Sequence, residues 1–140
     1  MRLSIIAGLL AVIAIAGCSG STTSPTTTTT TTTVATTAAN LTENYAGNLN
    51  VNGAATYSFA AGTGTITATL TSVGDTAVTV GMALGNWTGT NCVLAITNDA
   101  AVKGSTVIGS TASAGNVCVR IYDVGNLTTT VPYTITVTHP

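Results

Sequence analysis

The sequence predicts an all-β fold: an antiparallel β-sandwich of seven or eight strands, preceded by a signal peptide and a disordered threonine-rich linker. Three observations point to the sandwich. From residue 41 onward, apolar and polar residues alternate with a period of two, which is typical of half-buried strands. Gly, Asn, Asp and Ser recur at intervals of about ten residues, as turns between short strands do. No segment of this region shows helical periodicity, so the pattern favours a jelly-roll or an immunoglobulin-like sandwich without distinguishing the two.

The strands can be placed one by one from this alternation. Asn52-Gly53 separates the first two and is a strong hairpin signal. In the third, Ile66 and Leu70 share one face, and threonines occupy the other. The sandwich domain is therefore expected at residues 41–140. The predicted strands span residues 45–51, 54–60, 64–73, 77–85, 92–97, 105–111, 117–124 and 131–138.

Residues 1–17 have the layout of a secretory signal peptide. Arg2 supplies the positive charge, and an apolar stretch of about fifteen residues follows it and ends in small residues before Cys18. This stretch is shorter than the roughly 20 apolar residues that a permanent membrane-spanning helix needs. An uncleaved membrane anchor is the alternative interpretation.

The end of this segment, Ile15-Ala16-Gly17-Cys18, resembles the lipobox of bacterial lipoproteins. The resemblance implies that Cys18 becomes the first residue of the mature protein and carries a thioether-linked diacylglycerol. Anchoring through more than one acyl chain holds a protein stably on a membrane. Ser19 follows the cysteine, at the position where an aspartate is associated with retention in the inner membrane. We therefore expect a lipid-anchored protein of the cell envelope, at the outer membrane or the cell surface.

Residues 18–40 are expected to form a tether behind the lipid. Apart from Val34, the residues between Cys18 and Asn40 are Ser, Thr, Ala, Pro and Gly, with no charge. Such a segment cannot bury enough apolar surface to offset the entropy of ordering it. Threonine is β-branched and prefers extended backbone, so the 21 residues 19–39 would reach about 60 Å at roughly 3 Å each. The tether would hold the sandwich away from the lipid surface.

The chain has three cysteines. If Cys18 is lipidated, Cys92 and Cys118 remain as a pair in an oxidising compartment, and we expect a disulfide between them. The disulfide would close a loop of about 26 residues and contribute roughly 3 to 4 kcal/mol in the chain-entropy description. Two free thiols, or two metal ligands, are the alternative.

Strand alternation predicts where this disulfide lies. Cys118 shares a face with Arg120 and Tyr122. If that face is exposed to solvent, Cys92 must also point outward, with Val93 inward. The disulfide is then expected on the outside of the sandwich, where it joins neighbouring strands or a loop.

Three stretches of this region resemble the bacterial pre-peptidase C-terminal domain family. They are ATYSFAAGTGTITATLTSV at 55–73, SAGNVCVRIYDVGNL at 113–127 and YTITVTHP at 133–140. The resemblance covers most of residues 41–140 and implies an exported β-sandwich module of the kind appended to proteases and other secreted enzymes. Val117 stands where the family often has an aromatic residue, and the sequence contains no peptidase domain. The resemblance thus implies fold and export, and it transfers no catalytic residue.

Charged residues make up only 5% of the sequence and form no basic patch, so nucleic acid is not an expected partner. The single histidine, His139, is next to last in the chain and is expected to be solvated. The spacing of the polar residues reveals no set of nucleophile, base and metal ligands. We therefore expect no enzymatic activity, no cofactor and no metal site.

The aspartates have a structural interpretation. Asp75, Asp99 and Asp123 each lie in a predicted turn, where an aspartate usually accepts hydrogen bonds from nearby backbone amides. The alternative is a Ca²⁺ site, which would form if two of these aspartates met in space with Asn98 and loop carbonyls.

Trp87 is the main candidate for contact with a ligand. It is the only tryptophan, it lies in a predicted loop, and it is flanked by glycine and polar residues. An exposed tryptophan can stack on a sugar ring or enter a partner's pocket; in the alternative, the ring covers the end of the sandwich. Tyr122 and Arg120, which point outward together, are candidates for the same surface. The other large aromatic residues are expected in the core: Tyr45, Tyr57, Phe59 and Tyr133.

These observations predict a lipid-anchored cell-surface protein with a non-catalytic β-sandwich. Its expected role is binding or adhesion to a polysaccharide or to a protein of the envelope. The alternative is a passive structural or accessory role, in which the domain assists the export or the stability of a neighbouring protein.

Overall fold

The computed structural model describes residues 39–75 and 77–140. The predicted signal peptide, Cys18 and the tether up to residue 38 lie outside the described residues. The described residues belong to one compact unit, Ala35–Pro140, which holds all eight strands and its own apolar core. They contain no helix that is long and apolar enough to cross a membrane.

Eight antiparallel strands form two four-stranded sheets, which face each other as a sandwich. This arrangement confirms the predicted fold class. The strands are β1 (Leu41–Leu49), β2 (Ala54–Ala61), β3 (Gly64–Val73), β4 (Val80–Trp87), β5 (Cys92–Ala101), β6 (Thr106–Thr111), β7 (Gly115–Tyr122) and β8 (Val131–His139).

The strands pair in a nested order. β4 pairs with β5, β3 with β6, β2 with β7 and β1 with β8, as in a long hairpin that has been folded over. Two further pairings, β3 with β8 and β4 with β7, join these ribbons into sheets with the orders β1-β8-β3-β6 and β2-β7-β4-β5. Eight antiparallel strands nested in two sheets form a jelly roll. The structure therefore decides between the two topologies that the sequence leaves open.

The core lies between the sheets, on the faces that the alternation predicts. On β8 every second residue is buried. On β3, Ile66 and Leu70 are buried, as expected. The buried face then continues at Val73, because a β-bulge between Leu70 and Ser72 shifts the register against β8.

The four aromatic residues assigned to the core pack there. Phe59 and Tyr133 are buried, and Tyr45 and Tyr57 pack against the core while remaining partly exposed. The rings of Tyr45 and Tyr57 stack with their centroids 4.7 Å apart. The hydroxyls of Tyr57 and Tyr133 are hydrogen-bonded at 2.7 Å, and burial, together with this bond, raises the pKa of Tyr133. These contacts connect β1, β2 and β8 across the sandwich.

Strand β5 passes close over β4 at a point where β4 has no side chain. The pairing of the two strands shifts register between Leu84 and Gly85, which marks a β-bulge. A Cβ atom at Gly85 would overlap the backbone carbonyl of Val93. Position 85 therefore requires glycine, since only a residue without Cβ lets the β5 backbone approach this closely.

The close approach brings Cys92 within reach of β7. Cys92 and Cys118 form the predicted disulfide, with their Cα atoms 5.8 Å apart. The disulfide lies on the side of β7 that faces away from the core, as the alternation predicts. The disulfide does not join neighbouring strands, because β4 lies between β5 and β7. Val93 is paired with Asn86, on the same face of the sheet as Val117 of the core, so it has the predicted direction. It is nevertheless 56% exposed, because β5 is an edge strand.

We expect Gly85→Ala to destabilise the sandwich by about 1–3 kcal/mol, since the added Cβ would have to displace the β5 backbone at Val93. Gly115→Ala is the matched control, because no atom lies within 4 Å of a Cβ at that position. Urea unfolding of the two oxidised variants measures the difference. Equal stability of the two variants would contradict the close approach of β5 to β4.

Candidate functional site

A cleft of about 460 Å³ opens on the outer face of the sheet β2-β7-β4-β5. It lies at the end of the sandwich where β1 turns into β2 and where β7 ends. Arg120 and Tyr122, two of the three predicted ligand-binding residues, line it. The other side chains that shape the cleft are Asn52, Leu94, Asp99 and Asp123.

The Tyr122 ring packs directly on β4. On β7, Val119 and Ile121 belong to the core, so Arg120 and Tyr122 point outward, as the alternation predicts. Tyr122 lies opposite Gly81 in the register of β4 and β7, and a Cβ atom at Gly81 would overlap the tyrosine ring. Gly81 therefore provides the space that the ring occupies.

The Tyr122 hydroxyl donates a hydrogen bond to the carboxylate of Asp99 on β5. The tyrosine side chain thus crosses β4 and connects β7 with β5. The pKa of Tyr122 is raised to about 12, mainly by burial. The hydrogen bond to Asp99 and the negative charge of Asp99 also raise it, whereas the positive charge of Arg120 lowers it. The hydroxyl therefore stays protonated at neutral pH and keeps its role as a donor to Asp99.

The guanidinium group of Arg120 lies against an aromatic ring. Its central carbon lies 5.9 Å from the centroid of the Tyr122 ring, within the range of a cation–π contact. Among residues 39–75 and 77–140 Arg120 forms no ion pair, and its Nε is buried without a hydrogen-bond partner. A buried donor that lacks an acceptor carries a free-energy cost. The cleft therefore favours a ligand that brings a hydrogen-bond acceptor to Arg120.

Asp123 forms the rim of the cleft. One of its carboxylate oxygens accepts the N–H of Asn52 at 2.8 Å, and the other accepts the N–H groups of Gly125, Asn126 and Leu127 at 2.8, 3.0 and 3.2 Å. These hydrogen bonds hold the pKa of Asp123 below its ordinary value, and the bond from Asn52 contributes most. The expectation that Asp123 caps backbone amides is confirmed. The carboxylate also ties the β1–β2 turn, where Asn52 has a left-handed φ of 56°, to the β7–β8 loop.

Asp99 and Asp75 have other environments. The sequence predicts Asp99 in a turn, but this is wrong: β5 continues to Ala101, so Asp99 lies on a strand and accepts the hydrogen bond of Tyr122. At Asp75 the backbone carbonyl, rather than the carboxylate, is the acceptor that closes the turn, by a bond of 3.1 Å from the N–H of Val78.

The alternative Ca²⁺ site gains no support from these positions. Both carboxylate oxygens of Asp123 already accept backbone N–H groups, and Asp75 lines a different cleft from Asp99. In the part of the chain that the structure describes, no three His, Cys, Asp or Glu side chains come together in a way that could hold a metal ion.

Trp87, the third predicted contact residue, lies away from the cleft. It is the last residue of β4, not a loop residue as the sequence predicts, and it is half-buried. Its partner in the register with β5 is Cys92, which places it beside the disulfide. Arg120 lies opposite Ala83, four residues before Trp87 on β4, a distance of about 13 Å along the strand. The structure therefore brings Arg120 and Tyr122 together and leaves Trp87 at the other end of the sheet.

His139 is buried, which corrects the expectation that it is solvated. Its side chain is only 2% exposed, because β8 extends to this residue and pairs it with Leu41. The imidazole ring lies 4.9 Å from the ring of Phe59, and its Nε2 lies 3.8 Å from the carboxylate of Glu43. The other oxygen of Glu43 accepts a hydrogen bond from Tyr45, whose pKa is raised mainly by burial. This cluster belongs to the interior between β1 and β8 and contributes nothing to the cleft.

Sequence reasoning does not place Asn52, Leu94, Asp99 or Asp123 at the cleft. The sequence marks Asn52 only as part of a hairpin, and the hairpin is wrong, because β1 and β2 belong to different sheets and the turn crosses between them. Asp99 follows the point at which the apolar pattern of β5 ends. The available signal is Tyr122, since an outward-facing tyrosine that packs on a sheet usually has a hydrogen-bond partner for its hydroxyl.

No protein-family model matches this chain, and no curated protein matches it. The resemblances to the lipobox and to the pre-peptidase C-terminal domain family therefore stay predictions from the sequence.

Alkaline titration tests the hydrogen bond between Tyr122 and Asp99. Folding raises the pKa of Tyr122 from 10.0 to about 12, first through burial and then through the hydrogen bond to Asp99. The protonated side chain therefore contributes stability below pH 10.0, and this contribution is lost as the pH rises through about 12. We expect the difference between the tyrosinate absorbance curves of the wild type and of Tyr122→Phe to show one group with a pKa near 12. In the Asp99→Asn variant this midpoint should fall toward 10.0. A wild-type difference curve centred at 10.0 would show that Asp99 does not hold the hydroxyl.

Proposed function

We propose that this chain is a lipid-anchored cell-surface protein whose β-sandwich is a non-catalytic binding module for a neutral saccharide. The observation that carries the proposal is the guanidinium of Arg120 in the cleft, which forms no ion pair with the residues that the structure describes and lies next to the Tyr122 ring. The Asp99 carboxylate lines the same cleft. Hydrogen-bond donors, acceptors and an aromatic ring thus share one small surface.

The donors and acceptors of the cleft complement the hydroxyl groups of a sugar. A guanidinium only donates hydrogen bonds, and a carboxylate only accepts them. A hydroxyl does both, so one sugar hydroxyl can accept from Arg120 while an adjacent one donates to Asp99. Such a ligand would meet the guanidinium of Arg120, which forms no ion pair among the described residues. The volume of about 460 Å³ is ordinary for a small-ligand site.

The charge balance of the cleft favours a neutral ligand. Asp99 and Asp123 carry two negative charges and Arg120 carries one positive charge. An anion that approached Arg120 would also approach these carboxylates, and a cation would meet the guanidinium. A neutral ligand rich in hydroxyls gains hydrogen bonds from groups of both signs without either repulsion.

Other features support the remaining parts of the proposal. A disulfide between Cys92 and Cys118 fits an oxidising compartment outside the cytoplasm. The lipobox-like end of the signal peptide supports an anchor at Cys18. The buried position of His139 against Phe59 supports a non-catalytic role, because the only histidine lies away from the carboxylates of the cleft.

We expect the oxidised head, residues 35–140, to bind one class of neutral polysaccharide in a calorimetric titration against a panel of neutral and acidic polymers. Arg120→Ala should weaken this binding about tenfold or more, as the loss of a charged hydrogen-bond donor does. Lys103→Ala is the matched control, since it removes the same charge from an exposed residue outside the cleft. The melting temperature of each variant separates loss of contact from loss of fold.

Two results would contradict this placement of the site. If Trp87→Ala abolished binding while Arg120→Ala had no effect, the site would lie at the disulfide end of the sheet. If no polysaccharide of the panel bound to the folded head, the saccharide proposal would be wrong.

We expect Cys18→Ala to move the protein from the membrane fraction to the soluble fraction, because the thiol that would carry the lipid is removed. Ser19→Ala serves as the control and should leave the membrane fraction unchanged. Fractionation with immunoblotting measures both. Unchanged membrane partitioning of Cys18→Ala would rule out the lipid anchor.

A further inference from the structure

One side of the sandwich concentrates the exposed apolar side chains. The edge strands β5 and β6, one from each sheet, lie next to each other there. Seven large apolar side chains are exposed among the described residues, and five of them lie on these two strands or the loop between them. We call these five residues the apolar edge: Val93, Leu94, Ile96, Val102 and Ile108.

Strand β5 carries only one of the features that usually keep an edge strand from pairing with another chain. Protected edge strands are short or bulged, or they carry lysine, proline or an inward-pointing charge. β5 has two β-bulges against β4, one at Ala95 and one between Asn98 and Ala101. β5 is ten residues long, and its stretch from Cys92 to Asn98 contains no charge and no proline. Because β5 ends the sheet β2-β7-β4-β5, its backbone N–H and C=O groups on the outer side have no strand partner in the described part of the chain.

Contacts within the domain hold β5 in place. The disulfide attaches Cys92 to β7, and the hydrogen bond from Tyr122 holds Asp99 near the other end of the strand. Between these points, Ile96 reaches toward β6 and would lie 3.3 Å from a Cβ atom at Gly109. β5 and β6 thus present one preorganised surface, and pairing would cost little further ordering of the chain.

We propose that the apolar edge binds the apolar edge of a second copy of this chain. Two β5 strands related by a two-fold axis run antiparallel, so they can join the sheets β2-β7-β4-β5 of two copies into one continuous sheet. The surface is self-complementary, because apolar side chains meet apolar side chains and no like charges oppose each other. A partner that depends on charge would find no opposite charge between Cys92 and Asn98.

The size of the apolar edge indicates a weak, reversible dimer. A ten-residue strand is about 33 Å long and two packed sheets lie about 10 Å apart, which gives an edge of about 330 Å². A stable protein interface buries about 800 Å² on each partner. We therefore expect association only at high local concentration. The dimer does not depend on the saccharide site, since the five residues lie along the edge and only Leu94 also lines the cleft.

Sedimentation velocity of oxidised residues 35–140, from about 10 µM to about 1 mM, tests the proposal. We expect a monomer at the low end of this range and an increasing dimer fraction at the high end. Ile96→Lys and Ile108→Lys, which place a charge on side chains that are 39% and 59% exposed, should each weaken the dimer by at least tenfold. Val51→Lys is the matched control, because Val51 is 42% exposed and lies in the β1–β2 turn, outside the apolar edge.

Each outcome of these measurements supports or overturns the proposed dimer. A monomer throughout the concentration range would overturn the proposal and leave the edge for a different chain. A dimer that both lysine variants weaken no more than the control would place the interface elsewhere, and an open assembly larger than a dimer would exclude the two-fold axis. Circular dichroism confirms that each variant is folded. If Ile96→Lys does not fold, the more exposed Ile108 position still gives the test.

Discussion

The outer face of β4 carries almost no side chains, and the other features of this sheet depend on that. Gly81, Ala83 and Gly85 are buried although they face away from the core. The Tyr122 ring covers the first of them, and the backbone of β5 covers the last. Larger side chains at these positions would push the ring away from Asp99 and would move β5 out of reach of the disulfide. The placement of the Tyr122 ring in the cleft and the close approach of β5 both depend on this row of small residues.

The fold class could be predicted because most strands have one face in the core and one in solvent, so that alternation marks them; burial does not alternate on β4 and β5. The jelly-roll order could not, since alternation is the same whichever strands pair. The pairing of Thr42 with Thr138, for example, joins residues 96 apart in the sequence. The end of β5 was also beyond prediction, because Asn98 and Asp99 favour turns and adopt strand conformation here only through their contacts within the sheet.

The candidate site could be predicted in part. Arg120 and Tyr122 share an outward face because inward and outward side chains alternate regularly along β7. This part of the site therefore follows from the local sequence. Asp99 comes from a strand two positions away in the same sheet, and local pattern carries no information about that neighbour. Sequence neighbours predict Trp87 in a loop and His139 in solvent. β4 instead continues to Trp87, which is half-buried and pairs with β5, and β8 continues to His139, which is buried and pairs with β1.

The nested pairing has a consequence for the order of folding. β4 and β5 are joined by a connection of four residues, 88–91, whereas β1 must find β8 across most of the domain. Loop closure costs more entropy as the loop lengthens, and folds dominated by distant contacts form slowly. The β4–β5 hairpin is therefore expected to form early and the β1–β8 pair late. The sheet β1-β8-β3-β6 is complete only when β8, the last strand, pairs with β1, the first. Until β8 has emerged, the chain remains incompletely folded, and such a chain can pass through a narrow translocation channel.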